Sequence, residues 1–171
     1  MKKLAKIFAV VLVCVLAVTA LVACAPAPNT NYDKAQENLK ENKYTVMAIK
    51  EGDVGFALAV VTPATIYGIK VEDIEAILSA TNADGESVAI IWCKSADAAK
   101  TAYDKANSAM KDRKKDLDDL KAEIAEMEDG AQKENAQKTY DEMKKAYDNS
   151  VVGHSGKIVW TGTKEGIKAT K

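Results

Sequence analysis

The stretch from Met110 to Tyr147 decides how the rest of the chain can be arranged. Met110, Leu117, Leu120, Ile124 and Met127 recur at the three-and-four spacing of a coiled-coil seam, broken only by Arg113. After Glu128-Asp129-Gly130 a second seam follows in Ala136, Tyr140, Met143 and Tyr147. One unbroken helix from Ala96 to Asp148 would be about 80 Å long, which would carry the β-branched residues beyond it far from any sheet. A reversal at Gly130 removes that difficulty. It sets Ile124 against Ala136, Leu120 against Tyr140, Leu117 against Met143 and Arg113 against Tyr147, an antiparallel helical hairpin with a short loop. The apolar stripe is only wide enough for the partner helix, so residues 111–148 are expected to project as a charged arm.

The segments on either side of the arm read as strands and short helices. Ala35 and Leu39 lie at helical spacing within Asp33 to Asn42, with Asp33 as a possible cap. Tyr44 to Ile49 is apolar or β-branched at most positions and ends at the turn residues Glu51-Gly52-Asp53. Val54 to Ile69 suits either a buried strand or a helix segment; Thr62 before Pro63 would cap a short helix that Gly68 closes. Ile74 to Thr81 and Ser87 to Trp92 flank Asn82-Ala83-Asp84-Gly85 and read as a hairpin. Ser95 caps a helix whose apolar stripe is Ala99, Tyr103, Ala106 and Met110. Beyond the arm come Val151-Val152, a turn at His154-Ser155-Gly156, a strand over Lys157 to Thr161, and a last short helix capped by Thr163 and holding Ile167. The expected fold class is α+β: a small antiparallel sheet packed by helices, with an inserted antiparallel helical hairpin.

The amino terminus carries a different signal. Lys2, Lys3 and Lys6 precede an apolar run of 17 residues from Ile7 to Ala23 that only Thr19 interrupts, the order of a signal peptide. A permanent membrane helix needs about 20 such residues. Leu21-Val22-Ala23-Cys24 resembles a bacterial lipobox. That resemblance implies cleavage after Ala23, a diacylglyceryl group on the Cys24 thiol, acylation (palmitate) of the new amine, and a lipid-anchored location at the cell membrane, outside the cytoplasm. The expected organisation is a signal peptide over 1–23, a lipidated tether over 24–31 and an α+β domain over 32–171. Cys14 lies in the leader and Cys24 is taken by lipid, so Cys93 is left without a partner and the domain holds together without a disulfide. Removing Lys2, Lys3 and Lys6 leaves 21 Lys and Arg against 25 Asp and Glu, a net charge of −4 that does not favour nucleic acid.

From Asp33 onward, Asn38-Leu39, Tyr44-Thr45-Val46, Val88-Ala89-Ile90-Ile91-Trp92 with Ser95-Ala96-Asp97-Ala98, and Gly156-Lys157-Ile158-Val159 with Gly162-Thr163 are similar in pattern to small uncharacterised bacterial lipoproteins. The similarity covers about two-thirds of the mature chain. It implies an α+β domain and brings no activity with it.

Catalysis finds little support among the residue types present. His154 is the only histidine, so triad chemistry would require it to face Ser155 or Cys93. Cys93, at the end of an apolar strand, reads as a small buried hydrophobe. The carboxylate groups Asp116, Asp118, Asp119 and Glu126, Glu128, Asp129 are interleaved with lysines and lack the loop spacing of a calcium site. Gly153-His154-Ser155-Gly156-Lys157 has its glycines too close for a phosphate loop, and Ile158 stands where Ser or Thr is needed. Trp92 and Trp160 read as core residues of neighbouring strands.

The residues thus assign no catalytic group, metal site or cofactor. The expected function is that of a non-catalytic, lipid-anchored envelope binding or adaptor protein. Its partners are the membrane, through lipid on Cys24, and an envelope protein or cell-wall component, through the arm. The alternative is a lipoprotein that binds a small ligand or metal ion.

Overall fold

A computed structural model describes residues 26–171. The leader, the cut after Ala23 and Cys24 lie outside them. The elements are α1 (Tyr32–Glu41), β1 (Thr45–Lys50), α2 (Phe56–Ala59), α3 (Val61–Tyr67), β2 (Ile74–Thr81), β3 (Ser87–Cys93), α4 (Ala96–Ala125), α5 (Ala131–Asn149), β4 (Ser150–Ser155), β5 (Ile158–Thr163) and α6 (Lys164–Lys168). The fold is α+β, built on one five-stranded sheet of order β1-β2-β3-β5-β4 with every neighbouring pair antiparallel.

Each face of the sheet carries a core, so its central strands are nearly continuous apolar runs whose alternate residues belong to different cores. On one face Leu78, Ile90, Trp92, Trp160 and Val151 pack with Ala35 and Leu39 of α1 and Ile167 of α6. On the other, Ile77, Ile91, Val159 and Val152 pack with Ala98, Ala99, Ala102, Ala106 and Met110 of α4 and with Ala64 and Tyr67 of α3. Small residues on α4 let its axis approach the strands closely, and Trp92 and Trp160 do lie on adjacent strands in one core.

Local chemistry sets the helix ends. Ser95 Oγ accepts from Ala98 N at 3.1 Å, and Gly68 closes α3 in the left-handed conformation at φ 65°. The β5–α6 corner closes tightly onto β3. A Cβ on Gly162 (φ 150°) would stand 2.3 Å from Ser87 O, and one on Gly166 2.2 Å from the same oxygen. Thr163 Oγ1 sits between them, accepting from Ser87 N at 3.2 Å and from Gly166 N at 3.1 Å.

Four expectations need correction. The first helix is capped by Asn31, whose side chain accepts from Lys34 N at 3.0 Å; Asp33 lies inside its first turn. Residues 54–69 form the two short helices α2 and α3, with Pro63 inside α3 and Val60, not Thr62, preceding it. His154 and Ser155 are not a turn: β4 runs on through them, paired with Val159 and Ile158, and the turn is Gly156-Lys157. Pro28 is buried, and Asn29 N donates to Thr170 Oγ1 at 2.9 Å, so the last part of the 24–31 tether already lies against the domain.

α4 and α5 pack against each other across the turn at residues 126–130. Leu117 and Ile124 are buried although they lie beyond the sheet-covering part of α4, while Ala136, Tyr140, Met143 and Tyr147 are half-buried on α5. The Lys114 pKa is raised, first by its hydrogen bond to Asp118 and only to a small extent by Tyr147 and Tyr140 of α5. Solvated lysine–aspartate pairs four residues apart decorate the exterior, as at Lys114–Asp118 (2.6 Å) and Lys133–Asp129 (2.8 Å).

Candidate functional site

The α4 face of the sheet changes character along the strands. Three rows of side chains cross it, each set by the pairing register. The row nearest the strand ends at Ile74, Cys93 and Ile158 is Ile49, Ile77, Ile91, Val159 and His154. The middle row is Met47, Ser79, Ala89, Thr161 and Val152. The far row is Thr45, Thr81, Ser87, Thr163 and Ser150, a hydroxyl on every one of the five strands.

Where the aliphatic row lies, α3 and α4 cover it. Where the hydroxyl row lies, a groove of about 700 Å³ is open, floored by the far and middle rows and walled by Glu142, Lys145, Ala146 and Asn149 of α5. The Asn149 amide donates to both carboxylate oxygens of Glu86 at 3.4 Å, joining the base of α5 to the β2–β3 turn. Tyr67 marks the inner edge, its hydroxyl 2.9 Å from Thr161 Oγ1. Burial raises the Tyr67 pKa, and the Thr161 bond works against that rise. Chemically the groove offers the exposed hydroxyls of Thr45 and Thr81, one exposed thioether in Met47, the carboxylates of Asp84, Glu86 and Glu142 and the ammonium of Lys145, whereas the Thr163 hydroxyl is engaged by the Ser87 and Gly166 amides and the Ser150 hydroxyl donates to Ala146 O at 2.6 Å. Val46, Ala80, Val88, Ala89 and Ala146 line it as well, so the groove presents a mixed surface of apolar and polar groups.

The residues considered for catalysis are placed elsewhere. Cys93 is a free, buried thiol, pushed up to about 11 by burial first and the Asp73 carboxylate second, which suppresses the nucleophilic thiolate. His154 is exposed on the edge strand β4, its ring 4.5 Å from that of Tyr103 on α4. The carboxylates Asp116, Asp118, Asp119, Glu126, Glu128 and Asp129 are all exposed, and among the described residues no group of His, Cys, Asp and Glu is arranged to hold a metal ion. Cys24, the expected lipidation site, lies outside the described residues.

The hydroxyl row has no local sequence signal. Thr45, Thr81, Ser87, Ser150 and Thr163 are scattered through the chain, and only strand pairing collects them. One clue was present: each sits at the extreme end of its strand. No protein-family model, curated protein or solved structure matches the chain.

Proposed function

We propose that this chain is a lipid-anchored, exported envelope protein of non-catalytic type, an adaptor that holds an envelope protein or cell-wall partner in the groove beneath α5. One observation carries the reading. A sheet face that could have been sealed by a longer α3 or a lower arm is instead left open, and the open part alone is lined with hydroxyls. The groove also lies at the strand ends opposite those where the N-terminal segment docks, since Trp92 Nε1 donates to Thr30 O at 2.9 Å near the other end of β3. Anchored through Cys24, the domain would present groove and arm away from the bilayer.

Photo-crosslinking in intact cells tests this. A photoreactive side chain at Ser79 or Glu142 should give a discrete adduct that Ala89→Trp, which fills the groove floor, abolishes; the same probe at Lys40 on α1 should give none. Equal adducts from all three positions would sink the reading.

A small polar ligand in the same groove is the second reading, favoured by its size, since small-molecule sites span roughly 300–1,000 Å³. A ligand at about 100 times its dissociation constant would stabilise the fold by about 2.7 kcal/mol in a thermal-shift screen. Ala89→Trp should erase that gain.

A further inference from the structure

Of the charged residues that make up 29% of this chain, none falls between Asp53 and Lys70, a run of 16 residues from Val54 to Ile69. The run is not buried. Val54 is fully exposed, Leu58 is 82% exposed, and Val61 and Ile66 are exposed as well, so the run, in α2, α3 and the residue two before α2, holds four of the six large apolar side chains that face solvent among the described residues. Phe56, Val60, Ala64 and Tyr67 point the other way and anchor the segment on the core. An uncharged surface run with one face in the core and the other bare is a covered surface in its working setting.

Its position says what covers it. The N-terminal segment enters the domain at Pro28, and Tyr32 then packs its ring edge-on against Trp92 at 5.2 Å. The Lys50 ammonium lies 5.6 Å over the Tyr32 ring and 3.8 Å from Asp33. Asp53 accepts from Lys50 N at 2.9 Å and is close enough to raise the Tyr32 pKa, after burial, which is the larger cause. Val54 is the next residue. The apolar run therefore starts beside the point where the chain arrives from Cys24, and the four residues from Cys24 to Pro28 reach at most about 14 Å. An uncut apolar leader would leave the bilayer at nearly the same residue.

We propose that Val54–Ile69 is a second membrane contact, with Val54 and Leu58 entering the lipid interface beside the N-terminal anchor. This rests on the anchor reading above. With Glu51 and Asp53 just before it and no basic residue within it, the contact is apolar rather than electrostatic, so zwitterionic lipid suffices and salt does not release it. A bilayer seat at this end also fixes the domain's orientation, which a short flexible tether alone would not do.

The test uses the full chain reconstituted into phosphatidylcholine vesicles whose acyl chains carry bromine, with Leu58→Trp as reporter and Glu134→Trp on the arm as control. Expected are co-flotation with the vesicles, a blue-shifted Leu58→Trp emission that loses most of its intensity to bromine in low and high salt alike, and a control that is not quenched. Flotation with an unquenched Leu58→Trp would overturn the second contact while leaving the anchor standing. Failure to float would remove the anchor and this inference with it. A blue shift without bromine quenching, accompanied by a crosslinked dimer, would assign the run to a second copy of the chain and refute the lipid contact.

Discussion

The two ends of one sheet face are built from the same strands and the same register, yet one is a core and the other an open groove. Ile49, Ile77, Ile91 and Val159 stand in a row under α3 and α4, whereas two rows further on Thr45, Thr81, Ser87, Thr163 and Ser150 stand beside an open groove. The strand backbone is continuous through both. What differs is the side chain placed at each alternate position, and with it the free energy available for covering the row. Burying an aliphatic row is favourable by about 25 cal/mol per Å², whereas covering a hydroxyl row would strip water from groups whose hydrogen bonds would then need replacing. The arm leaves the sheet where that balance changes sign.

The most direct way to break the contrast is to cut into the aliphatic row. Ile91→Ala should cost about 2–5 kcal/mol, because the neighbouring strands and α4 hold the cavity open. Urea unfolding followed by circular dichroism measures it. A loss below about 1 kcal/mol would mean that the row is loosely packed and the contrast between the two ends is smaller than the register implies.

The thiol at the end of β3 supplies the next largest effect and has a definite sign. Cys93 is held from its ordinary value near 9 up to about 11 by burial and by Asp73, so in the folded state the neutral thiol is favoured. A group with a raised folded pKa contributes its full stability below the unfolded value and loses it as pH rises through the folded one. Stability should therefore fall between about pH 9 and pH 11, by roughly 2–3 kcal/mol from this group. In Cys93→Ala the decline should be much shallower whatever the baseline cost of the smaller side chain; an unchanged slope would assign it to Tyr67 and the other tyrosines.

Much of the architecture could be read from sequence because its determinants are local. Ser95, Gly68 and Thr163 each act within four residues, so their roles as helix ends needed no knowledge of the fold. The break between α4 and α5 before Ala131 was legible for another reason: a long helix followed by strands leaves few other geometries. Errors arose where local chemistry and long-range pairing compete. His154-Ser155-Gly156 has the composition of a turn, but pairing of β4 with β5 extends the strand through Ser155 and leaves only Gly156-Lys157 to turn. Val54 to Ile69 resisted assignment because exposed apolar residues and buried ones have the same letters. The hydroxyl row is the extreme case, a site with no motif at all, assembled from five strand ends by register alone.

At the inner edge of the groove the two regimes meet in one hydrogen bond. Tyr67→Phe would leave the buried Thr161 hydroxyl without that partner, a loss of about 1–2 kcal/mol. A larger cost would place Thr161 in the core, and no cost would show the bond to be incidental.

The smallest effect on stability is the most informative about function. Thr45→Val with Thr81→Val keeps two β-branched side chains of nearly the same shape on paired strands and removes only the hydroxyls. Both positions are exposed, so unfolding free energy should stay within about 0.5 kcal/mol of the parent. The adduct formed through a probe at Ser79 should nonetheless disappear, because a partner that matched those hydroxyls would now face methyl groups. If stability falls while the adduct persists, the hydroxyl row serves the fold and the groove is not the contact. If stability holds and the adduct is lost, the Thr45 and Thr81 hydroxyls serve binding, while those of Thr163 and Ser150 already close the β5–α6 corner and the end of α5.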